Sequence, residues 1–129
     1  MKDALSQLDM PDDLRAALRE ALARLVELAK PEVVILFGSW AEGRARPDSD
    51  VDLVVVARTR NTWHLAGQLY LLWYEVMDER SLIVPVDFLV YTPRQFEKEN
   101  LVGFVPYQAL LHGKVIYGEP PATTQRLAS

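Results

Sequence analysis

The sequence predicts an α/β (α+β) domain, a small mixed β-sheet flanked by helices. Short β-branched runs bounded by breakers, Val33–Phe37, Val51–Ala57 and Val86–Val90, read as buried strands. Two longer segments, opening at Pro11-Asp12-Asp13 and at Thr62, repeat their apolar residues at helical spacing. The chain has 129 residues, 50% of them hydrophobic and 25% charged, which suits one globular domain. A domain of that size buries roughly two thirds of the surface its unfolded chain exposes. Residues 1–118 are expected to form it. The tail 119–129, with Pro120-Pro121 and small polar residues, is expected to be disordered.

The first helix starts well. Proline suits a first helical position, and Asp12 and Asp13 face the positive end of the helix dipole. Leu14, Leu18, Leu22, Leu25 and Val26 make its apolar side, and Lys30-Pro31 stops it. Strand one delivers Gly38 and Ser39 to its C-terminal end, and a short helix is expected over Trp40–Gly43. Strand two, Val51–Ala57, is apolar on both faces beyond Asp52, which places it centrally in the sheet. The helix Thr62–Arg80 is apolar nearly all round, with Trp63, Tyr70, Trp73, Tyr74 and Met77 near one side and Leu65, Leu69, Leu72 and Val76 on another. Either a partner chain covers one face, giving a homo- or hetero-oligomer, or the helix packs wholly on the sheet. Strand three, Val86–Val90, carries Asp87 as its one charge. Thr92-Pro93 caps a further helix, Tyr107–His112 forms another ended by Gly113, and Val115–Tyr117 is a last short strand.

The chemistry concentrates between strands one and two. In a strand, residues two apart share a face, so Asp50 and Asp52 aim two carboxylates at one spot at the mouth of a hydrocarbon strand. Two carboxylates about 4 Å apart repel by roughly 4 kcal/mol at an effective dielectric near 20. A bound divalent cation reverses that sign, so the pair reads as a metal site. If strand three lies beside strand two, Asp87 can join it. Gly38 lets a backbone approach a ligand, and the Gly38-Ser39 amides at a helix N-terminus would seat phosphate. Two imitations fail. Gly38 and Gly43 have the spacing of a P-loop, but Arg44 and Ala45 replace its Lys and Ser/Thr. Asp48, Asp50 and Asp52 mimic an EF-hand start, yet its required glycine and glutamate positions hold Leu53 and Thr59.

Gly38-Ser39 followed by Ser49-Asp50-Val51-Asp52-Leu53 resembles the signature of the DNA polymerase beta-like nucleotidyltransferase superfamily. The short spacer with Ala41, Gly43 and Pro47 looks most like its minimal nucleotidyltransferase (MNT) branch, whose members often act as antitoxins beside HEPN-domain toxins. Val86–Val90 matches the strand that bears the family's third carboxylate. The family commonly has Arg where this chain has Glu42, with Arg44 two places on. The resemblance implies the minimal nucleotidyltransferase fold and transfer of AMP from ATP with two Mg²⁺ ions. Asp50, Asp52 and Asp87 would be the catalytic and metal-holding residues, with Asp87 the base. Gly38, Ser39, Arg44 and Arg46 would bind the nucleotide. It further implies a protein acceptor, a tyrosine of a cognate HEPN toxin, and a type VII-like antitoxin role. Two alternatives stay open: a non-catalytic module that masks a toxin, and a small-molecule nucleotidyltransferase whose pocket forms between two identical chains.

Composition bounds the rest. Fourteen basic against eighteen acidic residues give a net charge of −4, opposite in sign to a protein that grips a nucleic-acid template. Without cysteine, disulfides and thiolate zinc sites are excluded. No apolar run approaches the roughly 20 residues that span a bilayer, and the N-terminus does not read as a signal peptide, so a cytoplasmic location is expected.

Overall fold

A computed structural model describes residues 3–121. After a 3₁₀ turn at Ala4–Gln7 come α1 (Asp12–Ala29), β1 (Val33–Phe37), β2 (Val51–Val56), α2 (Thr62–Glu79), β3 (Val86–Tyr91), α3 (Pro93–Lys98), α4 (Val105–His112) and β4 (Lys114–Gly118). Pro11 sits one place before α1, as its extended N-cap. Lys30 ends α1 in the left-handed region at φ 46° and donates its N–H to the Val26 carbonyl. Thr92 and Gln95 form a reciprocal capping box on α3, which satisfies two backbone donors. Of the expected tail, Glu119 returns a hydrogen bond to the Glu32 carbonyl at 3.1 Å, and residues 122–129 lie outside the described residues.

The sheet is mixed, in the order β3-β2-β1-β4. β1 runs antiparallel to both β2 and β4, whereas β2 and β3 are parallel, joined through α2 as a crossover. β2 is interior, consistent with its apolar residues on both faces. Val34, Leu36, Val51, Leu53, Val55 and Phe88 meet α1 and α2 in the larger core, together with Leu18, Leu25, Leu69 and Trp73. The opposite face is thinner. There Val33, Ile35, Val54 and Val56 are closed over by Phe96 of α3 and Ala109 of α4.

α2 resolves its own ambiguity residue by residue. Leu65, Leu69, Trp73, Val76 and Met77 are buried, and the Trp73 indole donates to the Val84 carbonyl at 2.8 Å. Trp63 and Leu71 stay 88% and 75% exposed. The helix expected over Trp40–Gly43 is instead a set of turns: the Ala41 and Glu42 amides both donate to the Gly38 carbonyl, and the Arg44 amide donates to that of Ser39. Gly38 and Gly43 stand at φ 76° and 72°, which a regular helix cannot accommodate. The phosphate seat at a helix N-terminus therefore becomes a seat of turn amides.

Candidate functional site

The parallel pairing of β2 with β3 sets the site. It aligns Asp52 with Asp87, and the antiparallel pairing on the other side aligns Asp52 with Phe37. Adjacent strands lie about 4.8 Å apart, so the two carboxylates leave the sheet side by side. Both belong to the face of Val54 and Val56. The cover from Phe96 and Ala109 lies over the apolar residues further along, and the strand mouth at Asp87 is exposed to solvent. Asp52 is half-buried. Asp50 precedes β2 and is exposed, while the next amide, Val51 N–H, donates to the Pro85 carbonyl at 2.9 Å and pins the two strand entries together.

Gly38 fits this corner for two reasons. Its φ of 76° is open to glycine, and a Cβ built there would collide with Asp52 Oδ2. The backbone of the β1 exit therefore packs directly on the Asp52 carboxylate. Burial first, and then the charges of Asp87 and Asp50, push the Asp52 carboxyl above its ordinary value of 3.8. Among the described residues, none of Asp50, Asp52 and Asp87 forms an ion pair with a lysine, arginine or histidine. Among the described residues, no cationic side chain offsets the mutual repulsion at the sheet end.

The donor set suits a hard divalent cation in kind: carboxylate oxygens and open water positions, with no soft ligand. Among the described residues, however, no three His, Cys, Asp or Glu side chains are gathered closely enough to hold a metal ion as they stand. Asp50 and Asp87 are exposed and Asp52 is half-buried, so the three carboxylates meet solvent at the strand mouth.

The nucleotide-side candidates are placed differently. Ser39 is half-buried beside Gly38, and its hydroxyl has no hydrogen-bond partner among the described residues. Arg44 is exposed and turned onto Glu42, Nη2 to Oε2 3.1 Å. Arg46 is held through its backbone: its N–H donates to Ser49 Oγ at 2.8 Å, and its carbonyl accepts from the Ser49 N–H at 2.9 Å. Its guanidinium makes no ion pair among the described residues.

Two residues of this corner escape a sequence reading. Trp40 is buried, and its indole N–H donates to the Ser49 carbonyl at 3.1 Å, bridging the loop just before Asp50. Tyr70 reaches from α2 around the edge strand β3. Its hydroxyl accepts from the Phe88 N–H at 3.1 Å and donates to Asp87 Oδ1 at 3.1 Å. Its ring stands edge-to-face on Phe88, centroids 5.2 Å apart. Burial, followed by the Asp87 hydrogen bond and charge, holds this phenol above its ordinary value, partly offset by the Phe88 amide. Tyr70 also walls a groove of about 450 Å³ with Trp63, Gly67, Phe88 and Tyr91. A second groove of about 460 Å³, between Tyr74, Met77 and Ile83, includes none of the three carboxylates.

A family profile described as "Nucleotidyltransferase domain" matches residues 17–115, a span that runs from within α1 to the start of β4. No curated protein matches the sequence. Among solved structures, a toxin–antitoxin crystallised with AMP-PNP superposes with a TM-score of 0.51 at 20% identity, over 84% of this chain and 79% of that one. An MntA-HpeT toxin–antitoxin variant gives 0.49 at 19% identity, over 85% and 79%. A tri-AMPylated Shewanella oneidensis HEPN toxin in complex with MNT antitoxin gives 0.40 at 18%, over 78% and 72%. At these identities the first likeness is one of fold.

Proposed function

We propose, for a chain that belongs to the nucleotidyltransferase domain family, that it transfers AMP from ATP to a protein hydroxyl, a tyrosine of a HEPN-type toxin partner. The observation that carries the reading is the register of Asp52 on Asp87, with Asp50 two residues upstream and, among the described residues, no ion pair to neutralise the three. A family that moves nucleotides needs such a carboxylate corner for Mg²⁺. Asp50, Asp52 and Asp87 would hold two ions once their side chains are gathered. Bound Mg²⁺ supplies charge neutralisation of the triphosphate and a lowered pKa for the acceptor hydroxyl.

The chain's own residues do the rest. Gly38 brings its backbone against Asp52 and keeps the corner open for phosphate, because no Cβ intervenes. Ser39, whose hydroxyl is uncommitted, and the turn amides after it would hold terminal phosphate oxygens. Arg46 is free to meet charge growing on the leaving pyrophosphate, whereas Arg44 would have to leave Glu42 first. Asp87 would take the proton of the acceptor hydroxyl, and Tyr70 fixes one of its two oxygens.

The partner is supported by the resemblance to MNT antitoxins, by the toxin–antitoxin neighbour that binds AMP-PNP, and by the surface of α2. Trp63, Leu71 and Tyr74, with Ile83 beyond the helix, leave apolar surface uncovered. Such a surface also suits a toxin that is simply masked. One experiment separates the readings: co-express the chain with its partner, record intact masses, and repeat with Asp50→Asn, Asp52→Asn and Asp87→Asn. Each substitution keeps shape and should abolish a gain of about 329 Da per AMP on the partner. Suppression of toxicity by all four proteins, with the partner unmodified, would leave masking as the function.

A further inference from the structure

We propose that Tyr70 is itself an acceptor: in the absence of a partner, the chain transfers AMP from ATP to its own Tyr70 hydroxyl. The inference rests on the reading of Asp50, Asp52 and Asp87 as the transferring corner and of Asp87 as the base. A base must lie within about 2.6–3.2 Å of the proton's oxygen, and Tyr70 Oη stands 3.1 Å from Asp87 Oδ1. The Phe88 N–H fills one lone pair of that oxygen at 3.1 Å, so the phenolic hydrogen is directed at the carboxylate. The sequence has five tyrosines, and among the described residues Tyr70 alone is hydrogen-bonded to one of these carboxylates. An acceptor held against its base in the same chain reacts without the entropy loss of a bimolecular encounter.

There is also room for the product. A helical side chain leans over the turn before it, and for Tyr70 that turn contains Gly67. A Cβ at Gly67 would meet nothing within 4 Å, and the groove of about 450 Å³ opens there beside the ring. A glycine inside a helix costs stability, and among the described residues no packing asks for one at this position. The phenol can therefore pivot from Asp87 into the groove carrying a nucleotide.

The step balances. The phenolic oxygen forms a bond to the α-phosphorus as the bond from that phosphorus to the bridging oxygen of the β-phosphate breaks. Pyrophosphate leaves with the electron pair, and the phenolic proton passes to the Asp87 carboxylate. The product oxygen, now esterified, has no hydrogen to return to Asp87, so each chain reacts once.

The test uses the full chain alone with Mg²⁺ and ATP, read by intact mass and by peptide mapping. The wild type should gain a single adduct of about 329 Da, mapped to Tyr70, with a rate constant unchanged on roughly tenfold dilution. Tyr70→Phe should gain none, whereas Tyr117→Phe, on the far edge strand, should gain it as the wild type does; calorimetry of the wild type with Mn²⁺ and a non-hydrolysable ATP analogue reads the site separately. Mapping of the wild-type adduct needs no variant, so a misfolded Tyr70→Phe would not blunt the test. A wild type that binds the analogue but gains no mass, gains it at another residue, or reacts more slowly on dilution overturns the inference and leaves the site reading intact. A wild type that binds no Mn²⁺–nucleotide overturns the site reading, and this inference falls with it.

Discussion

Gly38→Ala separates what the backbone needs at the β1 exit from what Asp52 needs. At φ 76° an alanine pays the left-handed penalty of about 1–2 kcal/mol, whatever surrounds it. The new Cβ also meets Asp52 Oδ2 in a collision and Asp52 Cγ at 3.3 Å, but Asp52 Cβ only at 3.6 Å, an ordinary contact. The carboxylate is the end of a short side chain and can swing off its rotamer for about 0.5–1.5 kcal/mol. The variant should lose roughly 1.5–3.5 kcal/mol in all, and the melting temperature should drop by about 3–5 °C for each kcal/mol in a chain of this size. In an Asp52→Ala background the colliding atoms are gone, so the same substitution should cost only the backbone share. Urea unfolding of the four proteins gives a coupling energy of about 0.5–1.5 kcal/mol between positions 38 and 52. Equal losses in both backgrounds, within about 0.3 kcal/mol, would show that Gly38 does not press on the Asp52 carboxylate and would remove the packing argument for the corner.

Three further outcomes are expected. Because its pKa is raised in the fold, the Asp52 carboxyl favours folding fully below its ordinary 3.8, and that contribution is lost as pH rises through the raised value. Asp52→Asn should therefore melt no lower than wild type without metal at about pH 7, and its relative advantage should shrink toward about pH 4 in a fluorimetric melting series. Trp40→Phe keeps the buried ring but deletes the hydrogen bond to the Ser49 carbonyl; it should cost about 1 kcal/mol and speed tryptic cleavage after Arg44, read by timed digestion. Ser39→Ala should weaken a non-hydrolysable ATP analogue by roughly 1–2 kcal/mol in calorimetry, the size of a hydrogen bond to a charged group, and unchanged affinity would place the phosphates elsewhere.

What could be read from the sequence was whatever short-range chemistry dictates. β1 spans Val33–Phe37, as its β-branched run implies, and β2 departs from the expected range by one residue at Ala57, whose N–H still bonds the Tyr91 carbonyl. The two-residue spacing of Asp50 and Asp52 at the entry to β2 is likewise a local property. The expected helix after Ser39 fails locally too, because two glycines with positive φ outweigh the propensities of Trp40, Ala41 and Glu42. Long-range pairing is another matter. Nothing between Ala57 and Val86 states that β3 enters parallel to β2 in the register that sets Asp87 on Asp52 and not on Val51 or Leu53. A slip of one residue would turn Asp87 into the core beneath α2, where a lone carboxylate is far more costly than at the open mouth. Burial energy thus chooses the register, and the register assembles the corner. The same logic explains why Tyr70 could not be assigned from its helix phase. Its role comes from β3 being an edge strand, whose outward Phe88 N–H needs a partner and finds it in the phenol. The edge that must be capped and the carboxylate that must be held are neighbours in one strand, so a single side chain on α2 serves both and ties the second helix to the chemistry of the sheet.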